Sequence, residues 1–73
     1  MEISEVKAAL GNPVRFKDER LFCDGEYILT GCIIRLSERG QFYYQAEIQD
    51  TKQKNSVSIV GLDKLTRIKQ RFG

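Results

Sequence analysis

Apolar and polar residues alternate with two different periods along this chain, and the change of period falls at Pro13. Before it, Ile3, Val6 and Leu10 recur at helical spacing, and the glycine, asparagine and proline that follow are typical of the end of a helix. The pattern predicts a short helix over residues 2–10. So short a helix is marginal in water, so we expect its three apolar side chains to pack against the rest of the protein.

After Pro13 the period shortens to two residues, which is the spacing of half-buried β-strands. Glycines and polar clusters separate these segments, and together they predict five strands. In chain order, the predicted elements are a strand at 14–17, a loop at 18–26, a strand at 27–36 that bends at Gly31, a hairpin turn at 37–40, a strand at 41–50, a polar connection at 51–55, a strand at 56–59, one helical turn at 62–65 and a last strand at 66–69.

The same alternation divides each predicted strand into an inner and an outer face. Residues 1–73 are expected to form one domain, because a chain of this length supports a single small core. The fold class is mainly β. The expected core residues are Val14, Phe16, Ile34, Tyr44, Ala46, Ile48, Val57, Ile59, Leu65 and Ile68.

The composition excludes most catalytic chemistry. The chain has no histidine, so a Ser-His-Asp or Cys-His catalytic pair and an imidazole metal ligand are ruled out. Eight residues separate Cys23 from Cys32 and no second pair follows, which disfavours a zinc site and favours free thiols in a reducing cytoplasm. We therefore expect no enzymatic activity, no metal and no cofactor.

The hydropathy of the chain predicts a cytoplasmic protein without a membrane partner. No apolar run approaches the roughly 20 residues that cross a bilayer. Glu2 and Glu5 stand where a secretory signal would carry basic residues followed by an apolar block.

The order of the predicted elements resembles that of the SH3-like small β-barrels, including their Tudor and KOW branches. The resemblance covers about residues 11–69 and is carried by the stretches GNPVRF, TGCIIRL, FYYQAEI and VSIVGLDKLTRI. It implies a five-stranded barrel over residues 13–69, preceded by the short helix, with a single helical turn before the last strand and a basic tail at 70–73. The chain also looks like small accessory proteins of phages and mobile elements.

That resemblance implies a non-catalytic binding module, although the known ligand sites of the group do not carry over. The peptide groove of SH3 domains needs a tryptophan, which is absent here. The aromatic cage of Tudor domains is expected near the last hairpin, where this chain has Lys52, Lys54 and Asn55. Neither proline-rich peptides nor methylated side chains are therefore the expected ligands.

Basic residues lie on predicted strands that are neighbours in an SH3-like barrel. They predict a basic face that binds nucleic acid or another phosphate-bearing ligand, because each cation that neutralises a phosphate releases counterions. The candidate binding residues are Arg15, Lys17, Arg35, Tyr43, Lys64, Arg67 and Lys69, with Tyr43 as a stacking aromatic. The alternative for the same residues is a solvated surface of cross-strand ion pairs and a charged edge strand.

The nearly balanced charge and small size of the chain also fit a second function class. The net charge is only +2, and compact nucleic-acid modules usually concentrate more positive charge. Phe22, in the predicted long loop, is the candidate partner-facing residue, or it folds back onto the barrel as a plug. The alternative function is a protein-interaction module, which includes a small phage-type inhibitor of a host or competitor protein. Protein, nucleotide and nucleic acid all stay open as ligands at this stage.

Overall fold

The computed structural model of this protein describes residues 1–21, 23–53 and 55–68. Its elements in chain order are α1 (Ile3–Ala9), β1 (Pro13–Asp18), a 3-10 turn (Glu19–Leu21), β2 (Cys23–Leu36), β3 (Phe42–Asp50), β4 (Val57–Gly61), a second 3-10 turn (Leu62–Lys64) and β5 (Leu65–Arg67). The strands form one antiparallel sheet in the order β4-β3-β2-β1-β5. The predicted mainly-β fold and the short N-terminal helix are confirmed. Within the described residues the sheet is open, with β4 and β5 at its edges.

Local hydrogen bonds define both ends of α1. At its start, the Glu2 N–H donates to Glu5 Oε1 at 3.0 Å, and the Glu5 N–H donates to the Glu2 carbonyl at 2.9 Å. At its end, Gly11 adopts a φ of 81°, a left-handed conformation that favours glycine. The Gly11 N–H then donates to the Leu29 carbonyl at 2.7 Å, which attaches the end of the helix to β2.

The helix covers the core with fewer side chains than its sequence spacing predicts. Val6 and Ala9 are buried, whereas Ile3 and Leu10 are exposed, so the prediction was wrong for those two residues. The helix ends at Ala9, and Leu10 takes a ψ of 131°, which turns its side chain off the helical face. The Met1 amino nitrogen also donates to the backbone carbonyls of Leu62 and Leu65, both at 2.9 Å. These two contacts connect the start of the chain to the second 3-10 turn and to the first residue of β5.

The predicted loop over residues 18–26 is mostly strand, so this prediction was wrong. The dipeptide Asp24-Gly25, taken as a turn, pairs within β2 against Lys17 and Phe16 of β1. Gly25 lies on the core face there, and a Cβ atom on it would stand 3.3 Å from the ring of Tyr27. That ring meets Phe16 edge to face at a centroid distance of 5.9 Å. The glycine therefore leaves room for an aromatic pair.

The bend and the hairpin turn are both where the sequence predicts them. The β2–β3 register shifts between Leu29 and Gly31, which is the mark of a β-bulge. In the turn, the Ser37 N–H donates to the Gln41 carbonyl at 2.8 Å, and Gly40 has a φ of 79°. These two features make β2 and β3 into a long hairpin that bends once.

The core is smaller than the alternation predicts. The prediction is confirmed for Val14, Phe16, Ala46, Ile48 and Leu65, and it is wrong for Ile34, Tyr44, Val57, Ile59 and Ile68, which are all exposed. The buried apolar residues are Val6, Ala9, Val14, Phe16, Leu29, Ala46, Ile48, Leu62 and Leu65.

The five predicted core residues that are exposed lie outside the core for different reasons. On β4, Val57 and Ile59 pair with Gln49 and Glu47 of β3, so they share the outer face of the sheet, and Val60 packs against the core instead. Ile68 follows the last residue of β5. Ile34 and Tyr44 lie on the predicted face but beyond the end of the core, and this placement defines the candidate site.

Candidate functional site

The far end of the β2–β3 hairpin extends beyond the strands on either side of it. β1 pairs with β2 only as far as Ile28, and β4 pairs with β3 only from Gln45 onward. Residues 34–36 and 42–44 therefore pair with each other alone among the described strands. We call residues 34–44 the hairpin ribbon.

One face of the hairpin ribbon is apolar and exposed. Ala46 is part of the core and Cys32 packs against it. Strand periodicity places the residues two and four positions nearer the hairpin turn on the same face of each strand. Those residues form the apolar patch. They are Ile34, Leu36, Phe42 and Tyr44, which are 65%, 63%, 68% and 36% exposed.

The opposite face of the hairpin ribbon holds two of the predicted binding residues. Arg35 and Tyr43 are directly opposite each other on β2 and β3, so the structure brings this pair together. The Arg35 guanidinium donates through Nε to Gln45 Oε1, and Tyr43 is exposed. The ribbon thus carries an apolar patch on one face and a cation beside an aromatic ring on the other.

Arg15, another predicted binding residue, is paired with a carboxylate. Its Nε and Nη2 atoms donate to Oδ1 and Oδ2 of Asp24, each at 2.8 Å. These hydrogen bonds, with the attraction between the charges, lower the pKa of Asp24 and raise that of Arg15. A two-pronged contact of this kind satisfies much of the hydrogen-bonding capacity of the guanidinium.

The structure brings Lys17 and Lys64 together, but among acidic residues. Lys64 Nζ lies 3.9 Å from Asp63 Oδ2. Both lysines line a shallow groove of about 320 Å³ that also contains Asp18, Glu19, Arg20 and Asp63. Three carboxylates thus accompany three cations in this groove.

Arg67 lies apart from the other candidates. It pairs with the buried Val14, so it belongs to the core side of the sheet, whereas Arg15 belongs to the outer side. There it lines a groove of about 630 Å³ between α1 and β5, together with Glu5.

The predicted basic residues therefore do not meet on one surface. Arg15 is opposite Glu26 in the β1–β2 register, and Arg35 lies nine residue steps farther along β2, which is about 30 Å of strand. Lys69 and Phe22, the other two candidates, lie outside the described residues.

Two residues of the apolar patch, Ile34 and Tyr44, were predicted to lie in the core instead of on a binding surface. A signal for the correct assignment was present in the sequence, because the strands predicted at 27–36 and 41–50 have ten residues each whereas those predicted at 14–17 and 56–59 have four. Short neighbours cannot cover the whole length of a long hairpin.

The described part of the chain offers little else that could serve as a site. Among residues 1–21, 23–53 and 55–68, no three cysteine, aspartate or glutamate side chains group closely enough to hold a metal ion. None of the helices formed by these residues has the length and apolar character needed to span a bilayer.

Comparison of the chain with protein-family models, with curated proteins and with solved structures found no match. The likeness to SH3-like barrels and to phage accessory proteins therefore stays a prediction. The function must be inferred from the surface of the molecule itself.

Proposed function

We propose that this protein is a non-catalytic protein-interaction module that binds its partner through the apolar patch. The observation that carries this proposal is the exposure of four large apolar side chains on one face of the hairpin ribbon. Large contiguous apolar areas are rare on the surfaces of monomers and mark interaction sites. Aromatic residues such as Phe42 and Tyr44 are also the residues that interfaces concentrate.

The architecture of the ribbon supports the same function. A two-stranded ribbon is marginally stable in water, and it becomes stable when a third layer or strand covers its apolar face. Both long edges of the ribbon also leave backbone groups unpaired by other described strands, and such edges tend to pair with another chain. A partner packed on the ribbon would cover its apolar face.

The distribution of charge favours a protein partner over a phosphate-bearing one. Arg15 is paired with Asp24, and Lys17 and Lys64 share their groove with three carboxylates. A phosphate approaching either place would meet like charges as well as cations. Phosphate binding by the predicted basic residues remains the second hypothesis, and it differs in its salt dependence.

The proposal includes the SH3-like architecture and a cytoplasmic location. The support for the architecture is the chain order of the five strands, the bend of β2 beside Gly31 and the 3-10 turn between β4 and β5. The support for the location is Cys32, which is a free thiol in the structure.

The experiment is a quantitative pull-down with three immobilised baits. They are the wild-type chain, a ribbon variant carrying Leu36→Ser and Phe42→Ser, and a charge variant carrying Lys17→Ala and Lys64→Ala. Each bait meets a nuclease-treated cell extract and, separately, the purified wild-type chain. Leu36, Phe42 and Lys17 are exposed and Lys64 is partly exposed. We therefore expect both variants to keep the fold, which circular dichroism checks.

We expect the wild type and the charge variant to retain the same protein, and the ribbon variant to lose it. Retention that is equal for all three baits would refute the apolar patch as the binding surface. A gel shift with single- and double-stranded DNA and RNA over a range of salt tests the second hypothesis. Binding that weakens with salt and is lost only in the charge variant would establish a phosphate-bearing ligand instead.

A further inference from the structure

We infer that the occupant of the apolar patch is a second copy of this chain, packed face to face on the hairpin ribbon across a two-fold axis. This inference rests on the proposed function, because it names the partner of the same surface. An uncharged apolar surface can pack against a copy of itself, and a two-fold axis brings the same surface of both copies together.

The chemistry of the patch suits close contact between identical copies. From Cys32 through Leu36 and from Phe42 through Ala46, the residues on the patch face carry no charge. Arg35 and the other charged groups of the ribbon strands point to the opposite face or lie in the turn. Two patches can therefore meet without removing a charge from water.

The exposed area is sufficient for a small dimer. The four patch side chains expose on the order of 400 Å² per copy, given their exposed fractions and the usual areas of such side chains. Adding the partly exposed Val60 and Cys32 and the ribbon backbone brings the total for two copies to roughly 1,200 Å², the lower end of specific interfaces. That size is typical of a reversible dimer.

Continuity with the core and the small net charge support the same occupant. The patch continues the row of inward residues that begins at Ile48 and Ala46, so two ribbons packed face to face would join the two cores into one apolar layer. Each copy carries a net charge of +2, so the repulsion between copies is small.

The first measurement is sedimentation equilibrium of the purified chain over a wide range of concentration. We expect a monomer–dimer equilibrium in the wild type and at least about a 100-fold increase in the dimer dissociation constant for Phe42→Asp, because the two-fold axis places the change twice in the interface. Ile34→Thr keeps a β-branched residue in the strand, so it tests the same contact should Phe42→Asp perturb the ribbon.

The matched control is Val57→Asp, which puts the same charge on an exposed strand residue of the opposite sheet face. We expect it to leave the dissociation constant unchanged. Amide chemical shifts recorded over a dilution series locate the contact, and they should change with concentration at residues 32–36 and 42–46.

Three results would overturn the inference. They are a wild-type chain that stays monomeric at the highest soluble concentration, a Val57→Asp variant that dissociates as readily as Phe42→Asp, and dilution shifts confined to another surface. A monomeric chain whose patch still retains a different protein in the pull-down would remove the dimer and leave the proposed function standing. A chain that stays monomeric and whose patch retains no protein in the pull-down would remove both proposals.

Discussion

Truncation of Leu29 and of Ile34 to alanine compares the stability contribution of a core residue with that of a residue on the exposed hairpin ribbon. Both residues lie on β2 and both are on the inner side of the sheet, so the two substitutions are closely matched. Leu29 is fully buried opposite Ile48, whereas Ile34 is 65% exposed opposite Tyr44. The structure therefore predicts very different costs for two similar truncations.

The magnitudes follow from burial. Leu29→Ala should lower the free energy of unfolding by about 2 to 5 kcal/mol, because it removes buried methyl groups and leaves a cavity. A 73-residue domain has roughly 4 to 11 kcal/mol in total. Ile34 keeps only about a third of its surface out of water, so its truncation should cost about 0.5 to 1 kcal/mol.

The assay is urea unfolding followed by far-ultraviolet circular dichroism, at two protein concentrations so that self-association is separated from folding. The urea midpoint of Leu29→Ala should fall by roughly 1 M or more at an unchanged slope. Equal losses for the two variants would contradict this prediction, because Ile34 would then be covered by another part of the chain, as in a closed barrel.

Three further predictions concern the stability of the fold, and urea midpoints measure each. Asp24→Asn removes the carboxylate that accepts hydrogen bonds from Arg15. These bonds lower the pKa of Asp24 below its ordinary 3.8. The ionised Asp24 therefore stabilises the folded protein above that pH, and this stabilisation is lost as the pH falls through the lowered pKa. The gap in midpoint between variant and wild type should therefore close in acid, and a gap that widens there would contradict the assignment. Gly40→Ala should cost about 1 to 2 kcal/mol, because φ is 79° and no neighbouring atom adds to the backbone penalty, and Gly40→Asn should cost less. Ala46→Leu should cost about 1 to 3 kcal/mol, because Ala46 is fully buried between β2 and β4; an unchanged midpoint would show that the core there is loose.

Most of the local elements of this protein can be predicted from its amino-acid sequence. The change of period at Pro13 separates helix from strands, and the bulge beside Gly31 and the turn at Ser37–Gly40 lie where their residues predict them. These features depend on neighbouring residues and on backbone conformations that glycine and proline control. The prediction of a turn at Asp24-Gly25 was wrong. Gly25 instead leaves room for the Phe16–Tyr27 aromatic pair, and that pair is formed only when β1 and β2 come together in the sheet.

Which apolar residues are buried depends on the assembled sheet and cannot be predicted from the alternation. Alternation places Ile34 and Tyr44 on the same face as Ala46 and Ile48, and the structure agrees, but it buries only the second pair. The basic candidates likewise have strand positions that the sequence predicts, and only the register shows that Arg15 and Arg35 are about 30 Å of strand apart. Period two specifies the face of a residue, whereas burial depends on how far neighbouring strands extend beside it, and that length is a property of the assembled sheet.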